Sequence, residues 1–214
     1  MNRTLKIYIF LLVILVAGVI YVDAVRPKPV DWSPSYVLRD KIPFGLYVFD
    51  QESKTILPKR NIEKVRKSAY EFLDENYDYS QDVDSYKVKG TMLSICDTYI
   101  IDDESTKEIF YFVSHGNTAF ISTQNLPEIF TDSLNIKLDA DYDFKSQIDC
   151  WLANPSLGTQ KYDLTKGGNN AYFSSIDTLT TTILGYQIGK DNKRVNFIKV
   201  PYKKGNFYIH LQPN

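Results

Sequence analysis

Hydrophobic and polar positions divide the chain into three zones. From Ile7 to Val22 no side chain is charged, and Ile7, Phe10, Leu12, Ile14, Val16, Ile20 and Val22 typify a stretch apolar on every side. As a helix these sixteen residues reach roughly 24 Å, a little short of a ~30 Å hydrocarbon core. Leu5 and the stem of Lys6 lengthen the span at one end, and Tyr21 suits a membrane interface at the other. The run predicts a membrane anchor over 1–24. A cleavable signal is the rival, with Val22-Asp23-Ala24 as a cleavage site, but the run exceeds a typical signal core. Arg3, Lys6 and the amino terminus favour a cytoplasmic leading end, which sends the rest of the chain across. The prolines of "RPKPVDWSP" then predict a stiff, extended spacer over 25–41.

Beyond the spacer, residues 42–214 read as one α/β domain. "PFGLYVFD" (43–50) predicts a buried strand. Ile62, Val65, Ala69, Phe72 and Leu73 recur at helical spacing and predict a helix over 61–77 capped by Asn61. "TMLSICDTYIID" (91–102) predicts a second strand. Ser105 and Glu108 predict a capping box opening a helix that closes at His115-Gly116. "TAFIST" (118–123) predicts a third strand, and Asn125 caps a helix over 125–134. Alternating strands and helices imply parallel crossovers, hence a three-layer, mainly parallel, flavodoxin-like sheet. Later, "DADYDF" and "GGNNAYF" read as polar connectors. Strands at 180–189, 194–202 and 206–212, with a Lys203–Gly205 turn, add an antiparallel extension. The chain stops after that strand at Gln212-Pro213-Asn214, from which a continuation of the domain is expected.

Composition adds limits. Sixteen Tyr and twelve Phe supply core material for such a fold, while a net charge of −1 and the lack of basic–aromatic interleaving argue against nucleic acid as a partner. The acidic stretch 71–84 and the basic stretch 190–204 read as a solvated loop and an edge hairpin. Cys96 and Cys150 are either a pair or buried free thiols, the latter being the commoner state in a domain of this size.

Chemistry is sparse. Neither a dinucleotide fingerprint, a phosphate loop nor a nucleophile elbow is present, and "GYQIGKD" has the wrong glycine spacing. His115 suits a helix C-terminus and His210 the polar face of a strand, both structural. Asp139, Asp141 and Asp143 imitate a calcium loop, but Phe144 and Cys150 stand where Gly and Glu are required, so no metal or other cofactor is expected. Acids at the predicted strand ends, Asp50, Asp102 and Asp103, are the weak catalytic candidates; helix caps and loop solvation account for them better.

"RPKPVDWSPSYVLRDKIPFGLYVFD", "RKSAYEFL", "FVSHGNTAFIST", "SIDTLTTTILGY" and "GNFYIHLQP", together with the anchor, resemble an uncharacterised family of bacterial membrane proteins. That family carries a domain of unknown function with a class I glutamine amidotransferase-like fold, and the resemblance covers nearly the whole chain. It implies a flavodoxin-like domain held outside the cytoplasmic membrane. Its members commonly run further, to a second membrane helix, and are often encoded near a MoxR-type ATPase, which implies a protein partner in the envelope. It carries over no catalytic residue. Three readings follow: a non-enzymatic binding module on the outer face of the inner membrane, a degenerate hydrolase using strand-end acids, or a shortened non-functional copy. An exposed apolar patch or free sheet edge near 180–212 would favour the first.

Overall fold

A computed structural model describes residues 2–58, 60–80, 85–141, 148–164, 167–189 and 192–213. It divides into two compact units, Met1–Ser33 and Pro34–Asn214. The first is dominated by α1 (Arg3–Val25), a helix long and apolar enough to cross a membrane, with no residue buried by protein. It ends where Arg26 turns extended ahead of Pro27, as a residue before proline must.

The second unit is a mixed α/β fold. Its helices are α2 (Tyr47–Ile56), α3 (Ala69–Glu75), α4 (Asp103–Ser114) and α5 (Glu128–Ser133). Its strands are β1 (Thr91–Ile95), β2 (Thr118–Ser122), β3 (Lys137–Ala140), β4 (Asp149–Leu152), β5 (Tyr162–Asp163), β6 (Ala171–Ser175), β7 (Thr182–Gly189), β8 (Asn192–Tyr202) and β9 (Gly205–His210). They form one sheet in the order β1-β2-β9-β8-β7-β4-β5, with β6 joining β8 and β3 joining β6. Of the strand pairs among the described residues only β1–β2 and β2–β9 are parallel and the others antiparallel, so the sheet is mixed where a mainly parallel one was expected.

Several elements depart from their sequence reading for local reasons. No strand forms over 43–50. Gly45 donates to the Ile42 carbonyl, and a Cβ there would lie 2.0 Å from the Asp40 carbonyl oxygen, so the chain doubles back and then enters α2. The place of that parallel strand is taken by the last one, β9. The helix expected over 61–77 shrinks to α3, because Ser68 and Glu71 form a reciprocal capping box while Ile62 and Val65 find no core. Asp102, not Ser105, caps α4: its Oδ1 accepts from the Ser105 N–H at 2.8 Å. The Ser105 hydroxyl is buried and accepts instead from the Tyr70 N–H at 3.1 Å, joining α4 to the start of α3. α5 starts after Pro127 and not at Asn125. Parts of both expected connectors, 139–140 and 171–173, fall within the paired strands β3 and β6.

The core lies on one face of the sheet. Ala119 and Ile121, Phe207 and Ile209, and Ile198 and Val200 alternate inward from β2, β9 and β8, beneath Ile109, Phe110, Phe112 and Val113 of α4. Phe130 of α5 closes this layer, with Phe110 and Phe207 ring centroids 4.9 Å apart. The opposite face carries Phe120, Phe197, Tyr208 and His210 in mutual ring contact.

Candidate functional site

The three parallel strands run side by side, so their carboxyl ends converge. β1 delivers Cys96 and Asp97, β2 delivers Ser122, Thr123 and Gln124, and β9 delivers His210. The main chain ties these ends together: Cys96 N–H donates to the Ser122 carbonyl, Thr123 N–H to that of His210, and Gln124 N–H to that of Asp97. The side chains continue the pattern. The Gln124 amide donates to Asp97 Oδ1 at 2.7 Å, and the Thr123 hydroxyl to the Asp97 carbonyl at 2.9 Å.

Tyr36 joins this cluster from the start of the domain. Its φ of 48° places it in the left-handed region, rare for a bulky residue, and its N–H donates to the Phe44 carbonyl at 2.8 Å. Its hydroxyl hydrogen-bonds with Gln124. Burial, and then the Asp97 charge, push the phenol pKa up to about 12, which keeps it neutral. The loop that carries it is tight throughout: Leu46 N–H returns to the Val37 carbonyl, and the Phe44 ring occupies the space a Cβ on Gly167 would need.

The nucleophile candidates are subdued. Burial raises the Cys96 thiol, and it raises Cys150 to about 11; both are free cysteines. Cys150 accepts from Asn196 Nδ2 at 3.4 Å, deep in a different part of the sheet. Burial lowers His210 to about 4, so its imidazole is neutral beside the Ser122 hydroxyl at neutral pH. The cluster can therefore offer a phenol, a carboxylate, an amide and a thiol to a polar ligand.

The acids singled out from sequence are not part of this cluster. Asp50 lies in the first turn of α2 and pairs with Lys64 at 2.6 Å. Asp102 is the α4 cap, held below the usual carboxylate range by its hydrogen bond from Ser105; Asp103 is exposed in the first turn of the same helix. Among the described residues no hydrogen bond or ion pair joins any two of the three. Asp97 escapes the sequence reading because the apolar run predicts a strand to Asp102, seven residues past its observed end at Ile95. Tyr36 escaped because it fell in the expected spacer; the turn-forming "DKIPFG" behind it was the available signal. His115 caps the C-terminal end of α4, with Nδ1 2.7 Å from the Tyr111 carbonyl oxygen. Of the calcium-like acids, Asp139 binds the Tyr172 hydroxyl and Asp141 the Arg194 guanidinium, while Asp143 lies outside the described residues. No cluster of three metal-binding side chains occurs among the described residues.

No family model matches the sequence, and no curated protein matches it. Solved structures resemble it only distantly. A β-galactosidase from Bacillus circulans sp. alkalophilus aligns over 59% of this chain and 20% of its own at 13% identity, with a TM-score of 0.43. The carbohydrate deacetylase Agd3 aligns over 62% and 22% at 8% identity, with a TM-score of 0.44. Cytoplasmic protein STM3548 from Salmonella typhimurium aligns over 68% and 64% at 7% identity, with a TM-score of 0.39. The chain thus spans about a fifth of the length of the two enzymes, and likeness at this level carries no inference about function.

Proposed function

We propose that this is a single-pass protein of the bacterial inner membrane whose extracytoplasmic α/β domain binds a partner or small polar ligand without turning it over, as an accessory module in the envelope. The observation that carries the binding role is the Tyr36–Gln124–Asp97 chain, set at the carboxyl ends of parallel strands by a backbone in the left-handed region. Strained residues and strand ends are where α/β folds place ligand contacts. The neutral phenol, protonated thiols and neutral imidazole suit recognition better than nucleophilic or acid–base chemistry. The membrane role rests on α1, and its orientation on Arg3 and Lys6 at the leading end. The flavodoxin-like, amidotransferase-like family assignment rests on the sequence resemblance alone.

Two experiments test this. An alkaline phosphatase fused after Asn214 should be active in cells, and the protein should stay in the membrane fraction with its amino terminus at or near Met1. An inactive fusion, or a soluble form starting at Val25, overturns the topology. A photo-crosslinking amino acid at position 36 should give a discrete adduct in intact cells, and one at the exposed position 179 should not. Equal labelling from both positions, or none from 36, overturns the binding site.

A further inference from the structure

Every strand at the edge of a sheet exposes unpaired N–H and C=O groups, and stable proteins blunt such edges by shortness, charge or bulges. Two of the edges here are blunted. β5 is two residues long. β3 carries Lys137 and Asp139 and a register shift against β6 between Lys137 and Leu138. The remaining one, β1, is not. "TMLSI" contains neither charge nor proline, pairs in unbroken register with β2, and has no strand on its other side among the described residues.

The backbone direction of β1 can be read from its neighbours. Cys96 N–H points to β2, and so does the Gly90 carbonyl, which accepts from Thr118 N–H. By alternation Met92 and Ser94 also face β2, while Thr91, Leu93 and Ile95 direct their N–H and C=O groups outward. Leu93 is 44% exposed and stands in one cross-strand row with Phe120 and Tyr208.

We propose that β1 pairs antiparallel with β1 of a second copy of this chain, making one sheet that runs through both. A two-fold axis through Leu93 matches the free groups: Leu93 opposes Leu93, and Thr91 opposes Ile95, giving about six backbone hydrogen bonds. The same register brings Lys89, exposed just before the strand, towards the end of the mate that carries Asp97, so a cation approaches an anion at each end of the interface, although Asp97 itself is turned to Gln124 of β2. A parallel pairing would instead stack Lys89 on Lys89 and Asp97 on Asp97. The Leu93–Phe120–Tyr208 row continues into its mate across the seam, which covers the exposed leucine. This inference does not depend on the strand-end cluster binding a ligand.

The test uses the full chain in detergent micelles, with its mass measured by light scattering corrected for detergent. The wild type should be a dimer. Leu93→Pro removes one outward donor and no bond to β2, and should give a monomer with an unchanged circular dichroism spectrum. Should that variant not fold, Lys89→Glu should raise the dimer dissociation constant about tenfold by placing like charges together at both ends. Leu93→Cys should be joined by a short bis-maleimide, while Leu179→Cys, 95% exposed elsewhere, should not. A monomeric wild type overturns the proposal. So does a dimer indifferent to both substitutions at β1, which would assign association to α1 or another face.

Discussion

Ser122 and His210 stand directly opposite each other on the parallel strands β2 and β9, with Oγ and Nδ1 3.0 Å apart. Strand register alone imposes this pairing, although 88 residues of sequence separate the two. The Phe197 ring, 5.2 Å from the imidazole, closes the other side. Burial lowers the His210 pKa to about 4, from an ordinary imidazole value of 6.5.

That shift makes stability pH-dependent with a definite sign. Between pH 6.5 and about 4 the unfolded chain binds a proton at His210 and the folded one does not, so stability falls as pH drops through this window. The full effect is about 3 kcal/mol, complete below the folded pKa. Denaturant unfolding of the wild type and of His210→Gln should diverge across that window, the variant lacking this component of the slope. Parallel curves would show that His210 titrates normally.

The helices and later strands were legible in the sequence where local signals and tertiary packing agreed. The β8–β9 hairpin followed from alternation and the Lys203–Gly205 turn, and α4 ended at His115-Gly116 as its cap demanded. The errors lie where an apolar run met a stronger local constraint. "PFGLYVFD" has the composition of a strand, yet Gly45 folds back on Asp40 and the polar residues after Phe49 favour a helix. Losing that strand relocated the candidate site, since Asp50 no longer ends a strand and β9 supplies the third end. The free sheet edge near 180–212 that would have favoured a binding module is absent among the described residues because β7, β8 and β9 are each flanked on both sides; the open edge is β1. Parallel contact between β2 and β9 is a long-range choice that no local pattern announces.

Cys150 should be a poor nucleophile. A thiol pushed up by burial to about 11 carries about a hundredfold less thiolate at pH 8 than one at 9. Iodoacetamide should label it at least tenfold more slowly in the native chain than in urea, and both cysteines should be modified once the chain unfolds. A chain in which neither cysteine reacts after unfolding without reductant would instead reveal a disulfide.

Gln212 ties the end of the chain to the sheet. Its Nε2 donates to Gln187 Oε1 at 2.8 Å, and its Oε1 accepts from Asn169 N–H at 2.9 Å, with Gln187 and Gln212 both buried. Asn169 in turn donates from Nδ2 to the Leu211 carbonyl at 2.6 Å. Gln212→Ala strands the buried amide oxygen of Gln187 and takes the side-chain partner from the N–H and carbonyl of the half-buried Asn169, at about 1–3 kcal/mol for each buried group left unmade. Urea unfolding should show a loss of about 3 kcal/mol. Gln187→Met combined with Gln212→Met should cost less than Gln212→Ala, since the Gln187 amide leaves with its partner and only the Asn169 backbone groups lose theirs. A loss below 1 kcal/mol for the alanine variant would mean that water replaces the network.

Gly205 opens β9 where the hairpin passes under α4. A Cβ on it would lie 2.2 Å from the carbonyl oxygens of both Asn117 and Val113, and neither can retreat. Val113 belongs to the buried face of α4, and the Asn117 carbonyl accepts from Asn206 N–H while its side chain holds Gly90 N–H at 2.9 Å and the Phe112 carbonyl at 3.1 Å. Gly205→Ala must therefore push α4 away from β9 and open the contact of Phe110 with Phe207. The expected cost is above 3 kcal/mol, in the range of the largest single-site effects. The variant should melt well below the wild type by circular dichroism, whereas Gly90→Ala, with nothing within 4 Å of its added carbon, should stay close to it. Equal melting of the two would show that the α4–β9 junction yields without strain.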